Sequence, residues 1–126
     1  MPDAFSPTDA ELAILRVLWD RSPRSVREVH EVIAADKPVG YTTVLKTMQI
    51  MFDKGLVKRD ERQKAHLYRP AMPAPRMQKR LVDDLVERAF GGAADQLVMH
   101  ALAGRKASPE EIAQLRRLLS DLEANR

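Results

Sequence analysis

The sequence contains no cysteine, and this absence removes several kinds of chemistry at once. Disulfide bridges, thiolate metal sites and cysteine nucleophiles are all excluded. Aromatic residues are also scarce, with one Trp, two Tyr and three Phe among 126 residues. Stacking of single-stranded nucleic-acid bases therefore has few platforms in this chain.

Long apolar runs are missing as well. Charged residues recur throughout the chain, so no segment reaches the roughly 18 consecutive apolar residues that indicate a membrane helix. The beginning of the sequence, MPDAFSPTDAE, is acidic and lacks the apolar core of a secretion signal. We therefore expect a cytoplasmic protein that does not associate with a membrane.

Motifs for catalysis and cofactor binding are missing too. His30, His66 and His100 are far apart in the sequence, and none begins a metal-ligand spacing. The five glycines form neither a phosphate-binding loop nor a dinucleotide fingerprint. We predict no catalytic residue, metal or cofactor, and we interpret His30 as a partly buried helix residue.

The length and composition fit one small domain and an appendage, because the chain has 126 residues of which 44% are hydrophobic. The net charge of +3 is too small to indicate nucleic-acid binding by itself. Its distribution is uneven, because residues 54–70 hold six basic side chains against two acidic ones and the remainder is nearly neutral. This excess suits a phosphate-binding hairpin, and a merely solvated hairpin is the alternative.

Three helix starts are marked by capping boxes, in which a Ser or Thr is followed three residues later by Glu. The pairs are Thr8 with Glu11, Ser25 with Glu28 and Ser108 with Glu111. The first two predict helices over residues 8–20 and 25–34. Spacing predicts burial of Leu12, Ile14, Leu15, Leu18 and Trp19 in the first helix and of Val26, Val29 and Ile33 in the second. Arg24, Arg27 and Glu28 are predicted to face solvent.

A third helix is predicted over residues 42–54, and Gly55 supplies its left-handed stop. The residues predicted to face the core are Val44, Met48 and Met51. The polar face consists of Thr42, Thr43, Lys46 and Gln49. These side chains suit base edges in a DNA major groove, with lysine favouring guanine, glutamine favouring adenine and the threonine methyls favouring thymine. An ordinary solvated helix face is the alternative interpretation.

A β-hairpin follows the third helix, with predicted strands over residues 56–59 and 66–69 and an exposed turn over residues 60–65. Two strands alone are marginally stable, so we expect them to pack on the helices through Leu56 and through Leu67 or Tyr68. Tyr68 is interpreted as a packing residue and Pro70 as the end of the ladder. Three helices followed by a basic hairpin predict a mainly α, winged helix-turn-helix fold.

The last part of the chain reads as a second region that begins after a proline-rich hinge at residues 70–75. We predict a winged-helix DNA-binding domain over residues 1–73 and a helical dimerisation domain over residues 74–126. Its three helical patterns cover residues 75–90, 93–103 and 108–123, and the last has a heptad-like apolar stripe. Three short helices enclose too little core to be stable alone, which favours a homodimer. The alternative is that the stripes fold back on the chain's own first domain.

These features predict a homodimeric protein that binds double-stranded DNA. Its third helix, over residues 42–54, would enter the major groove of a palindromic operator in double-stranded DNA, and its basic wing, over residues 58–69, would contact phosphates. The competing hypothesis is a winged helix that serves as a protein-interaction module and docks an acidic partner. Exposed apolar anchors on the third helix would favour that alternative, and Ile50 and Phe52 are the candidates.

Three segments carry a resemblance to a known family. They are SPTDAELAILRVLWD, SVREVHEVI and YTTVLKTMQIMFDKGLVKRDERQKAHLYRPAM. In order and spacing they resemble the penicillinase and methicillin-resistance repressor family (BlaI/MecI/CopY). The resemblance implies a dimeric winged-helix repressor of bacterial resistance or copper-homeostasis genes. It also implies base-reading positions at Thr42, Thr43, Leu45, Lys46 and Gln49 and a wing from Arg59 to His66.

The sequence departs from the family pattern at three places. Ile50 and Phe52 occupy positions that are often charged in such repressors, which implies an extra apolar contact or a different helix packing. The cysteine hook of the copper-responsive branch is absent, which argues against thiolate metal sensing. Ala101 replaces a bulky residue in the stretch where the lactam-responsive branch is cleaved, so the inducer and the release mechanism stay open.

Two sets of residues complete the predicted sites. Phosphate contacts are predicted for Arg24, Arg27, Tyr41, Lys58, Arg59, Arg62, Lys64 and His66. Dimer contacts are predicted for Leu81, Leu85, Phe90, Leu97, Val98, Leu102, Ile112, Leu115, Leu119 and Leu122.

Overall fold

The computed structural model describes residues 6–126, in which six helices and three short strands are found. The helices are α1 (Asp9–Asp20), α2 (Val26–Ala34), α3 (Tyr41–Lys54), α4 (Ala74–Phe90), α5 (Ala94–Leu102) and α6 (Pro109–Ala124). The strands are β1 (Arg24–Ser25), β2 (Val57–Asp60) and β3 (Leu67–Pro70). The predicted mainly α fold is confirmed. None of the helices within residues 6–126 is long and apolar enough to cross a membrane.

All three predicted capping boxes are present. The hydroxyl oxygens of Thr8, Ser25 and Ser108 accept the backbone N–H three residues later, at 3.2, 3.2 and 3.1 Å. The glutamate at each third helical position accepts the backbone N–H of its capping residue in return. Two of the four free N–H groups at each helix start are thereby satisfied. The helices begin one residue after the caps.

The core of the amino-terminal unit lies between α1, α2, α3 and the strands. The predicted core residues Ile14, Leu15, Leu18, Val26, Val29, Val44, Met48, Met51, Leu56 and Tyr68 are all buried in it. Leu12, Trp19 and Ile33 are partly buried against the same cluster. Met77 of α4 is buried there as well, and Leu81 packs against it, so the first turns of α4 belong to this core.

The chain forms two compact units, one that extends up to Asp84 and one that comprises residues 85–126. The boundary between them falls within α4. The domain boundary between residues 73 and 74 stays a prediction. The structure describes every residue of the carboxy-terminal unit, residues 85–126, and Val86 is the only buried residue among them. The exposed large apolar side chains of this unit are Leu85, Val98, Met99, Leu102, Ile112, Leu118, Leu119 and Leu122. The unit therefore has almost no core of its own.

The sheet has three antiparallel strands in the order β1-β3-β2. β2 and β3 form the predicted hairpin, each displaced by one residue from its predicted start. Tyr68 of β3 lies opposite Arg24 on one side and Arg59 on the other. Its ring is buried, which confirms its interpretation as a packing residue. β1 was not predicted, because a strand of two residues has no sequence pattern of its own.

Two contacts attach the helices to one another and to the end of the wing. The indole Nε1 of Trp19 in α1 donates to the carbonyl oxygen of Met72, just after β3, at 3.2 Å. The Lys54 ammonium in the last turn of α3 donates to Glu11 Oε1 in the first turn of α1 at 2.7 Å. Both pairs are partly buried, so they fix α3 and the wing against the same helix.

Candidate nucleic-acid interface

α3 has one face in the core and the opposite face open. Val44, Met48 and Met51 are buried on the inner side, as predicted. The outer side exposes Thr42, Thr43, Lys46, Gln49 and Ile50. These five residues are called the exposed arc of α3. The helix ends at Lys54 and is followed by Gly55, whose φ of 83° lies in the left-handed region that favours glycine. This stop turns the chain directly into β2 and keeps the wing beside α3.

The turn between α2 and α3 is held by His30. Its Nε2 lies 2.8 Å from the carbonyl oxygen of Val39, which accepts the hydrogen bond. The His30 ring also meets the Tyr41 ring edge to face, with 5.8 Å between the ring centroids. His30 is partly buried in α2, as predicted. Its ring therefore supports the first residue of α3.

A cleft of about 480 Å³ lies between the start of α2, α3 and the wing. Six of its lining residues belong to the predicted DNA-contact sets and come from three segments: Arg27 of α2, Tyr41, Leu45 and Gln49 of α3, and Lys64 and His66 of the wing turn. The other lining residues are Ser25, Val26, Ala65 and Tyr68. Cations and hydrogen-bond donors from separate parts of the chain thus surround one groove.

The predicted positions also differ in their exposure. Lys58 and Arg62 are exposed on the wing. Leu45, which the family resemblance places among the base-reading positions, is half-buried and packs against the core. Its side chain is therefore shared between the cleft and the core, whereas the polar residues of the exposed arc lie free of the core.

The turn of the wing is stabilised by an aspartate and an arginine. Asp60 accepts hydrogen bonds from the guanidinium of Arg62, the shortest at 2.7 Å, and from the Arg62 backbone N–H at 3.0 Å. Hydrogen bonds from the Arg62 side chain and backbone lower the pKa of Asp60 from 3.8 to about 2. The Arg62 side chain is nevertheless 89% exposed, so its outer edge still faces solvent.

Arg59 is engaged within the protein more than the prediction of a phosphate contact assumed. Its guanidinium carbon lies 3.8 Å from the centre of the Phe52 ring, within the range of a cation–π interaction. Its guanidinium also pairs with Glu61 at 2.6 Å, and its side chain is 19% exposed. Phe52 in turn packs against the core. These contacts connect the wing to α3, and they favour a role for Arg59 inside the protein over the predicted phosphate contact.

Arg24 corrects one prediction. It was expected to face solvent, but it is buried, with a relative exposure of 8%. Its Nε donates to the carbonyl oxygen of Arg21 at 2.8 Å, and its guanidinium lies 3.6 Å from Asp20. The physical reason is β1, which pairs Arg24 with the buried Tyr68 and draws its side chain inward. Little of the Arg24 guanidinium is therefore accessible to a phosphate.

Sequence reasoning singled out Ile50 and Phe52 together, and the structure separates them. Phe52 is covered by the core and by Arg59. Ile50 lies on the exposed arc with a relative exposure of 45%. The helical period is the signal that distinguishes them, because Ile50 follows Lys46 by one turn. Ile50 is therefore an apolar position that the predicted contact sets omitted.

Potential metal ligands are scattered over the described part of the chain. No group of three or more His, Asp or Glu side chains within residues 6–126 is arranged to hold a metal ion. The acidic side chains of the wing are already paired with arginines, namely Asp60 with Arg62 and Glu61 with Arg59.

Comparison with known proteins identifies relatives of this chain. The sequence profile of the penicillinase repressor family matches residues 7–121. A protein named transcriptional regulator BlaI from Mycobacterium tuberculosis is 33% identical over 118 residues, which cover 92% of this chain and 84% of that protein. A penicillinase repressor from Staphylococcus aureus is 20% identical over 113 residues, or 90% of each chain.

Among solved structures, a multiple antibiotic-resistance repressor (MarR) from Listeria monocytogenes is similar in fold. The match has a TM-score of 0.51 and 18% sequence identity and covers 96% of this chain and 76% of that one. This likeness concerns the fold, and it agrees with the predicted winged helix.

Proposed function

The chain belongs to the penicillinase repressor family and is a DNA-binding transcriptional repressor rather than an enzyme, and we propose that it acts as a homodimer on a palindromic operator. We further propose that it works in the cytoplasm, where the operator DNA lies. Two copies related by a two-fold axis would present two α3 helices to successive major-groove half-sites. The names of the relatives suggest genes for antibiotic resistance as its targets.

The cleft between α2, α3 and the wing carries this proposal. It places Gln49 of the exposed arc in the same groove as Arg27, Lys64 and His66. A helix face rich in hydrogen-bond donors suits base edges, and flanking cations suit phosphates. We assign base reading to Thr42, Thr43, Lys46 and Gln49, with Leu45 contributing an apolar edge.

Phosphate contacts are proposed mainly for cations whose charged groups face outward. Arg27, Lys58, Arg62 and Lys64 are exposed, whereas Arg24 is buried and Arg59 is stacked on Phe52. Tyr41 and His66 line the same cleft and complete the set. Neutralised phosphates release counterions, so each contact adds to the salt dependence of binding.

The homodimer is proposed from the carboxy-terminal unit. Its apolar side chains are mostly exposed, with Leu119 at 59% and Leu122 at 57%. On α6 they follow Ile112 and Leu115 at spacings of three and four residues, which form a stripe along one face. A second copy would bury this stripe, together with the predicted contacts on α4 and α5. Leu81 is the exception, because it packs against the core of the first unit.

The alternative function, docking of an acidic protein partner, has less support than the sequence suggested. It required exposed apolar anchors on α3, and Phe52 is covered by Arg59 and the core. Ile50 alone does not make a hot spot, since such sites cluster several buried anchors.

Binding of the full chain to its operator tests the proposal. We expect the protein to protect a palindromic segment upstream of its own gene in a footprint. Lys46→Ala should weaken operator binding by roughly five-fold to a hundred-fold and reduce discrimination against random DNA. Lys64→Ala should weaken both DNAs alike and lower the slope of log K against log salt by about one unit. Arg16→Ala, on the exposed side of α1, is the control that should change neither.

Two results would contradict this assignment. Equal losses on operator and random DNA for Lys46→Ala would count against base reading. Absence of any protected segment at low salt would count against the proposed operator.

The dimer has a separate test. Leu119→Asp places a charge in the α6 stripe, and we expect the variant to sediment as a monomer and to lose most of its operator affinity, because two linked half-site contacts bind far more tightly than one. Ser120→Asp, on the neighbouring side of the same helix turn, should remain dimeric. A dimeric Leu119→Asp variant would show that the interface lies elsewhere.

A further inference from the structure

Ile50 is an aliphatic residue on a helix face that is otherwise polar. Its exposure of 45% leaves it free of the core. On the helix it lies one turn after Lys46 and beside Gln49, both of which are exposed polar residues. The neighbouring apolar residue Phe52 points to the opposite side, where it packs against the core. Ile50 therefore has no apolar partner on the exposed arc.

We propose that Ile50 is a specificity-determining residue that packs against the 5-methyl group of a thymine in the major groove. This inference rests on the proposed function, because it requires the exposed arc to enter DNA. The thymine methyl is the apolar group that base pairs present in the major groove. An isoleucine side chain has neither donor nor acceptor, so facing a cytosine or guanine edge it would desolvate polar groups without replacing their hydrogen bonds. Ile50 thus favours thymine and disfavours the other bases by the same contact.

Helix geometry predicts where that thymine lies. Residues four apart stack on one face and are separated by about 6 Å along the axis. Base pairs rise by about 3.4 Å, so Ile50 and Lys46 face positions within about two base pairs of each other. We therefore expect one thymine per half-site, within about two base pairs of the base pair read by Lys46.

Replacing thymine by uracil in the operator tests the proposal without altering the protein, because uracil lacks only the methyl group. Each thymine of one half-site is replaced in turn, and the dissociation constant of the full chain is measured by fluorescence anisotropy. We expect one position to weaken wild-type binding by about fourfold, the effect of losing one buried methyl group. Ile50→Ala should bind the thymine and uracil duplexes equally, both at the weakened level.

The matched control is Val32→Ala, which shortens an aliphatic side chain of similar exposure (44%) on α2, outside the cleft. It should keep the wild-type sensitivity to uracil. The inference is overturned if no thymine position is sensitive, or if Ile50→Ala keeps the same sensitivity, while operator binding itself persists. Absence of any sequence-specific site would overturn both this inference and the proposed function.

Discussion

Replacement of Lys54 by methionine should destabilise the protein more than removal of the charge on its partner, Glu11. The Glu11 side chain is 3% exposed, and its Oε1 accepts hydrogen bonds from the Lys54 ammonium at 2.7 Å and from the Thr8 N–H at 2.8 Å. The Lys54 side chain is 31% exposed. Methionine preserves the length of the Lys54 side chain but removes its ammonium group. The buried carboxylate of Glu11 then keeps only its capping contact with Thr8. Glu11→Gln removes the charge and keeps a side chain that still caps the helix.

The exposures of the two groups set the magnitudes. Loss of a hydrogen bond to a charged group, with the carboxylate left buried, costs about 2–3 kcal/mol for Lys54→Met. Glu11→Gln leaves the ammonium of Lys54 able to turn to water, so the cost should be about 1 kcal/mol. The double variant should be more stable than the sum of the two losses predicts, because the contact can be lost only once.

The pH dependence gives an independent check. Burial raises the pKa of Glu11, but hydrogen bonds from Lys54 and Thr8 outweigh it and hold the pKa below its ordinary 4.5. The stabilisation by Glu11 is therefore complete above the ordinary value and is lost as pH falls through the lowered pKa. In Lys54→Met the burial acts without the cation, which raises the pKa of Glu11. The difference in stability between wild type and Lys54→Met should then narrow as pH falls from neutral toward the ordinary pKa.

Urea unfolding followed by circular dichroism measures these differences, at one protein concentration because the stability of the proposed dimer would depend on concentration. Equal, small and pH-independent costs for Lys54→Met and Glu11→Gln would refute the reasoning. They would show that water rather than Glu11 solvates the Lys54 ammonium.

Two further predictions concern the wing. Arg59→Met should keep the salt slope of DNA binding unchanged, unlike Lys64→Ala, while it lowers thermal stability through the lost contact with Phe52; a drop in slope of about one unit would assign Arg59 to phosphate instead. The Asp60 carboxyl should titrate at about 2 in carbon-detected NMR, so its pairing with Arg62 persists above the ordinary 3.8 and is lost as pH falls through the lower value. Arg62→Gln should return the Asp60 pKa toward 3.8, and an unchanged titration would exclude the contact.

Local signals predicted much of the fold. The capping boxes at Thr8, Ser25 and Ser108 gave the right helix starts, because both partners of each box lie within four residues. The left-handed stop at Gly55 was likewise predictable from residues close in the sequence. Helical spacing also identified the inner and outer faces of α3, since that periodicity depends on sequence distance alone.

Contacts between distant residues were beyond this reasoning. The burial of Arg24 depends on β1 pairing with β3, more than forty positions later in the register Arg24 to Tyr68. The stacking of Arg59 on Phe52 joins a strand to a helix, so the sequence pattern could not show which side chain covers Phe52. Met77 follows the proline-rich hinge, yet it packs back into the first core. Each of these three contacts depends on how separate helices and strands are arranged in space. Sequence patterns predict those elements only individually.

The single tryptophan of the chain gives the fold a built-in spectroscopic reporter. Trp19 is half-buried in α1, and its indole donates to the carbonyl oxygen of Met72 just beyond β3. It lies outside every proposed DNA-contact set, so DNA would not quench it by direct contact. A change in its emission on adding operator would therefore report movement carried from the wing through β3 to α1. The ultraviolet fluorescence of the unlabelled protein thus reports on the contact between α1 and the end of β3. No dye is needed for this measurement, and a chain without cysteine offers no thiol for attaching one.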